Sequence, residues 1–274
     1  MSRGKSRIWI GCATVAASAP EVAGAAWGPI NLTRGVTPYS KMVYDLHMLT
    51  LEICTVIAVL VFAAIFYCLF RFRKSAGARA ATWHHNTWAE VIWTTIPILI
   101  LIALAAPSTR ALIEMENTAN PELTIKVTGY QWRWGYEYLG EGISFYSALD
   151  AASNAARQKN SGIDVTSVEN YLREVTQRLV VPTKTRIRIL TTAADVIHSW
   201  WVPALGWKRD GIPGFISESW AYIEEEGVYR GQCAELCGRD HGYMPIVVEA
   251  VSPERYRAWI ESWKAEHTAG SNSE

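Results

Sequence analysis

Hydrophobic and polar positions change their spacing along the chain, and the changes divide it into regions. Met48 to Phe70 is an apolar run whose only charge is Glu52, near one end. As a helix rising 1.5 Å per residue it covers roughly 35 Å, enough to cross a bilayer core. A second run, about Trp88 to Ser108, contains Ile96-Pro97-Ile98-Leu99-Ile100-Leu101-Ile102. Pro97 would break a helix in water, but a membrane helix tolerates it because neighbouring groups satisfy the freed carbonyl. The segment between the runs carries Arg71, Arg73, Lys74 and Arg79, with no acid before Glu90. Positive charge marks the cytoplasmic side, so the amino terminus and everything after Ser108 are expected outside. Trp83, Trp88 and Trp93 at one end, with Tyr39 and Tyr44 at the other, fit interfacial aromatic belts. Ahead of the runs, Arg3, Lys5 and Arg7, the apolar stretch Ile8 to Ala19 and the small residues Ala23-Gly24-Ala25 read as a signal peptide over residues 1–25. An uncleaved amphipathic leader is the alternative.

From about Glu114 the period falls to two. Leu123 to Tyr130, Leu179 to Pro182, Thr185 to Thr191 and Ile246 to Val251 alternate as strands do, with Gly and Pro turns between them. Short strands of this kind predict a β-sandwich. Gly140 to Asn170 is polar and rich in Ala, Ser and Asn, and reads as a surface excursion with a short helix near Ala151 to Lys159. Ser252-Pro253-Glu254 starts a closing helix to about His267, and residues 268–274 are expected to be a disordered tail. The expected fold class is thus a membrane-anchored α+β protein: a two-helix transmembrane hairpin over 26–113 (spans 48–70 and 88–108), then a β-sandwich over 114–267.

Composition narrows the partners. Half of the 274 residues are hydrophobic, with 13 Trp and 12 Tyr, and the formal net charge is zero. Nucleic acid would call for a concentrated basic face, which the charge pattern does not offer. Of five cysteines, Cys12 falls in the leader and Cys54 and Cys68 in the first span, where small apolar packing explains them. Only Cys233 and Cys237 belong to the outer domain. They stand in Cys233-Ala-Glu-Leu-Cys237-Gly-Arg-Asp-His241-Gly-Tyr-Met244, and His198 adds a second imidazole from upstream.

Thiolate, imidazole and thioether together suit copper better than calcium, magnesium or manganese, which want oxygen ligands. A blue single-copper site needs two His, one Cys and a weak axial Met. Here there is one thiol more, which is what two copper ions need if both sulfurs bridge them. Each ion would be completed by a His and a weaker donor, Met244 or the Glu235 carbonyl. Two other readings stay open: a Cys2His2 zinc site from Cys233, Cys237, His241 and His198, and a Cys233–Cys237 disulfide. Met244 favours copper, since zinc has no use for a thioether. Trp200, Trp201, Trp220 and Tyr243 are expected to keep water out.

Two membrane helices, the second containing Trp93-Thr-Thr-Ile-Pro97, then Gly129-Tyr-Gln-Trp132-Arg-Trp134, His198-Ser-Trp200-Trp201-Val-Pro203 and Gly231-Gln-Cys233-Ala-Glu-Leu-Cys237 with His241 and Met244 resemble subunit II of the bacterial haem-copper cytochrome c oxidases, from about Val36 to Trp263. The resemblance implies a cupredoxin-like domain holding the binuclear copper centre CuA through His198, Cys233, Glu235 (by its carbonyl), Cys237, His241 and Met244. It implies that the Glu235 side chain reaches a magnesium ion shared with subunit I. Trp132 matches the residue through which electrons enter from cytochrome c, and Glu90 the acid at the mouth of a proton channel. Subunits I and III, cytochrome c and membrane lipid are the implied partners. The implied setting is the bacterial inner membrane with the C-terminal domain in the periplasm, and oxygen is reduced to water, with proton translocation, in the partner chain. A membrane-anchored copper-delivery protein is the alternative. The excursion and Arg133 depart from the family pattern. Glu137, Glu141 and Asp195 are the expected docking acids for a basic cytochrome.

Overall fold

The computed structural model describes residues 31–270; the expected signal peptide and residues 271–274 lie outside the described residues. The first helix, α1 (Pro38–Arg71), begins ten residues before the apolar run, because its start is written in polar chemistry. Thr37 Oγ1 accepts from the Ser40 amide at 2.9 Å, Ser40 Oγ accepts from the Thr37 amide at 3.0 Å, and Pro38 sits in the first turn. Such a reciprocal cap contributes about 1 kcal/mol. The second helix, α2 (Thr87–Met115), is capped by Asn86 and passes through Pro97 and Pro107 to end beyond Ser108. Both are long and apolar enough to span a membrane, and they form the transmembrane hairpin.

The start of α1 and the end of α2 are tied to the C-terminal domain. Val36 and Thr37 bond to the Ala204 and Leu205 carbonyls at 2.9 and 3.0 Å, and Lys41 pairs with Glu224. At the end of α2, Trp220 Nε1 donates to the Glu114 carbonyl at 2.9 Å while the Arg186 guanidinium lies 4.2 Å over the Trp220 ring. Trp220 therefore seats a helix end and does not belong to the water-excluding group around the soft ligands.

The C-terminal domain stacks two five-stranded sheets. With β1 (Leu123–Tyr130), β2 (Arg133–Leu139), β3 (Ile143–Ser147), β4 (Leu179–Pro182), β5 (Ile187–Ala193), β6 (His198–Trp201), β7 (Lys208–Gly211), β8 (Ser217–Ala221), β9 (Gly227–Cys233) and β10 (Pro245–Val251), the orders are β3-β2-β1-β5-β8 and β4-β10-β9-β6-β7. The β1–β5 and β10–β4 pairs are parallel and the rest antiparallel. Ile125, Val127, Ile187 and Ile189 from one sheet meet Val181, Ile246 and Val248 from the other. The helix α4 (Pro253–Gly270) closes one side, with Trp259 and Trp263 rings 5.3 and 5.1 Å from those of Tyr138 and Phe145. It runs three residues into the stretch expected as a tail.

The excursion is only partly a surface feature. Ile143 and Ser147 of β3 are buried against β2, and the helix α3 (Ala151–Ala156) buries Ser153 and Ala156. Ser153 Oγ accepts from the Leu172 amide at 3.0 Å, so a small polar residue becomes an interior anchor that composition disguises.

Candidate metal centre

Strand register assembles the site. Trp200 on β6 pairs with Cys233 on β9, and Gln232 on β9 pairs with Pro245 on β10, which puts His198, Cys233 and Met244 at one end of the second sheet. The loop between β9 and β10 folds over that end. Ala234 donates to the Ser199 carbonyl at 2.9 Å and Cys233 to the Met244 carbonyl at 3.3 Å. Gly238 takes φ +112°, where a side chain would be strained, and a Cβ there would press on Gln131 and Trp132. Gln131 Nε2 and Trp132 Nε1 both donate to the Cys237 carbonyl, at 2.9 and 3.1 Å.

The two thiols are free and 3.9 Å apart. A disulfide would hold them at about 2.05 Å, whereas two metal–sulfur bonds of about 2.3 Å each reach easily across the gap. Cys233 Sγ lies 3.9 Å from His198 Nδ1 and 3.4 Å from the Glu235 carbonyl oxygen; Cys237 Sγ lies 3.5 Å from both His241 Nδ1 and Met244 Sδ. An imidazole and a weaker donor thus stand beside each sulfur. Six donors exceed the four of a structural zinc ion, and the soft set fits copper. His198, Cys233, Cys237 and Met244 are all buried. His198, Cys233 and Cys237 offer ligand atoms within 4.8 Å of one another.

Electrostatics prepare the sulfurs unequally. Burial works against ionisation of Cys233, but the bonds from His198 and from the Ser199 and Glu235 backbone outweigh it and hold the thiol below its ordinary range. Cys237 is pushed up to about 12, by burial first and by the neighbouring Cys233 second. Binding a metal through Cys237 therefore requires that thiol to give up its proton. His198 is held above the usual imidazole range: burial opposes this, but the Cys233 sulfur and the Asp195 carboxylate prevail.

Further residues shape the site in ways the sequence does not reveal. Asp195, one of the acids expected at a docking face, also accepts from His198 Nε2 through Oδ1 at 2.9 Å and so orients that ring. Its carboxyl is depressed, burial being outweighed by His198 and the Val196 and Gln131 amides. A Cβ at Gly129 would lie 2.6 Å from His198 Cδ2, so only glycine leaves room for the ring. Trp134 packs edge-on to His198 with centroids 5.8 Å apart, and Trp200 stacks near Trp207 at 5.3 Å.

The remaining expected residues lie elsewhere. Trp132 is half-buried at the rim of the loop. The Glu235 side chain is exposed. Glu90 is in the first turn of α2, at the hairpin's loop end. Glu137 pairs with Lys126 at 3.3 Å and Glu141 with Lys264 at 2.7 Å. Glu141 lies past the far end of β2 from Trp132, roughly 20 Å away at the strand rise per residue.

Comparison with known proteins agrees with this architecture. The family model for the periplasmic domain of cytochrome c oxidase subunit II matches residues 123–251, and that for its transmembrane domain matches residues 25–111. The probable cytochrome c oxidase subunit 2 of Rickettsia prowazekii is 41% identical over 235 residues, covering 86% of this chain and 72% of that protein. Cytochrome c oxidase subunit 2 of Cereibacter sphaeroides is 37% identical over 242 residues, covering 85% and 80%. Among solved structures, the periplasmic domain of subunit II (CoxB) of Bradyrhizobium japonicum aligns at 35% identity with a TM-score of 0.47, over 54% of this chain and 98% of that one. With its two transmembrane helices, its cupredoxin-like sandwich and its His/Cys/Cys cluster, this chain belongs to the cytochrome c oxidase subunit II family.

Proposed function

We propose that the chain is the electron-entry subunit of a bacterial cytochrome c oxidase, set in the inner membrane with its sandwich in the periplasm and assembled with subunits I and III. The observation that carries the reading is the pair of buried, unbridged thiols 3.9 Å apart, each with an imidazole and a weaker donor at its side. Bound there, a binuclear copper centre would supply reversible one-electron transfer between cytochrome c and a haem of subunit I.

The chain's own residues prepare that chemistry. Strands β6 and β9 fix the backbone of His198 and Cys233, and bonds from Ala234 to Ser199 and from Gln131 and Trp132 to Cys237 hold the loop, so little rearrangement accompanies a change of charge. Asp195 holds the His198 ring with Nδ1 toward the sulfur. Trp134 and Trp200, both fully buried, exclude water from beneath the ligands. Trp132 links the surface to the Cys237 carbonyl, as an entry point for electrons requires. The exposed Glu235 carboxylate is available to a magnesium ion at the boundary with subunit I. Glu90, at the cytoplasmic end of α2, would collect protons. A copper-delivery protein would display its ligands, whereas His198, Cys233, Cys237 and Met244 are buried.

Copper titration of the solubilised full chain, with paramagnetic resonance, tests the reading. Two copper atoms per chain and a resonance from one unpaired electron shared by both are expected, and Cys233→Ser or Cys237→Ser abolishes it. One tightly held zinc in place of copper sinks the proposal.

A further inference from the structure

Arg157, at the end of α3 in the excursion, reaches the ligand loop from outside the sandwich. Its Nη1 lies 3.3 Å from Asp240 Oδ1, and its guanidinium stacks 4.3 Å over the Tyr243 ring. Asp240 immediately precedes His241, and Tyr243 immediately precedes Met244. A single planar cation therefore touches both residues that lead into the two donors beside Cys237. The Arg157 and Asp240 side chains are only 20% and 14% exposed, so solvent screens the pair less than it screens the contact of Asp240 with Arg239, which is 79% exposed.

Arg157 is itself held in place. Asn154 Oδ1 accepts from its Nε at 2.9 Å. The helix that carries it is fastened below by the buried Ser153, through the Leu172 amide. Within the loop, His241 donates to the Gly238 carbonyl at 3.2 Å and Tyr243 to the Asp240 carbonyl at 2.9 Å. These turn bonds shape the segment internally but do not tie it to the sandwich. Gln232 Nε2 donates to the His241 carbonyl at 3.3 Å from the strand side. Beside its contact with the loop, Arg157 lines, together with Asp240, Tyr243 and Trp132, a cavity of about 200 Å³.

We infer that Arg157 is a positioning residue that clamps the 240–243 loop and thereby fixes the His241 and Met244 arm of the metal centre. The excursion is on this account a splint for the ligands. The inference rests on the proposed copper function for the loaded centre, while the clamp on the loop is a property of the metal-free chain.

Full chains with Arg157→Ala and Arg157→Lys, measured with and without copper, test it. Without metal, hydrogen exchange at the His241 and Tyr243 amides should quicken about tenfold in the alanine variant, while β1 and β10 amides keep their rates; tenfold corresponds to about 1.4 kcal/mol. With copper, release to a chelator should quicken by a similar factor and the copper resonance should shift. The lysine variant, which keeps the charge but loses the planar stack, should fall between the alanine variant and the parent. Loop exchange unchanged within twofold, or exchange quickened equally throughout the sandwich, overturns the inference. If the parent chain takes up no copper, the copper reading fails, and loop exchange in the metal-free chain still decides the clamp.

Discussion

His198 Nε2 donates to Asp195 Oδ1 at 2.9 Å, and the opposite ring nitrogen, Nδ1, faces Cys233 Sγ at 3.9 Å. A carboxylate can only accept, so the proton stays on Nε2 and the Nδ1 lone pair is presented to a metal. Removing a partner of this kind commonly weakens metal binding 10–100-fold. Asp195→Ala should accordingly lower copper affinity by roughly 10–100-fold in a chelator competition, and Asp195→Asn, whose amide oxygen still accepts, by less. An alanine variant within twofold of the parent would mean that Trp134 and the space at Gly129 hold the ring without help.

The extent to which the sequence announces this architecture depends on whether a residue's role is local. β1, with its buried and half-buried positions in strict alternation, reads directly as a strand. β6 does not, because His198, Ser199 and Trp200 are buried in succession between neighbouring strands. β7, Lys-Arg-Asp-Gly, is a polar edge strand with no apolar face to detect. Cys233, Cys237, His241 and Met244 declare their chemistry through spacing within one loop. Asp195 and Gly129 do not: an acid three residues before a histidine looks like any surface carboxylate until the fold aims it at the ring. Arg157 was hidden the same way, its partner lying 83 residues along the chain.

Stability should show an acid limb that a single carboxylate helps to set. Glu174 accepts from Arg178 at 3.0 and 3.1 Å and from Arg230 at 2.8 Å, bridging the approach to β4 with β9. Burial alone would raise its carboxyl, but the two arginines outweigh it and the folded value lies below the ordinary 4.5. A depressed folded pKa means that the stabilisation is complete above the unfolded value and disappears as pH falls through the folded one. Glu174→Gln should cost about 1 kcal/mol at neutral pH, discounted for partial exposure. In thermal unfolding of the full chain, the gap between variant and parent should close as pH drops below 4.5. A gap that stayed constant into strong acid would exclude this linkage.

Under the proposed function, electron entry should depend on Trp132, while neither entry nor docking should depend on Glu141. The Trp132 indole is half-buried and donates to the Cys237 carbonyl at 3.1 Å, so it joins the surface to the backbone of a sulfur ligand. Trp132→Ala removes ring and hydrogen bond together and should slow reduction by cytochrome c on the order of 100-fold, about 2.7 kcal/mol of barrier, with little change in KM. Trp132→Phe keeps an aromatic ring without the N–H and should fall between the two. Glu141→Gln should leave both constants and their salt dependence unchanged, because that carboxylate is paired with Lys264 and stands at the opposite end of β2. Stopped-flow reduction of the assembled oxidase at several ionic strengths distinguishes these cases. An alanine variant at Trp132 whose entry rate stayed within a few-fold of the parent would place the electron route elsewhere on the domain.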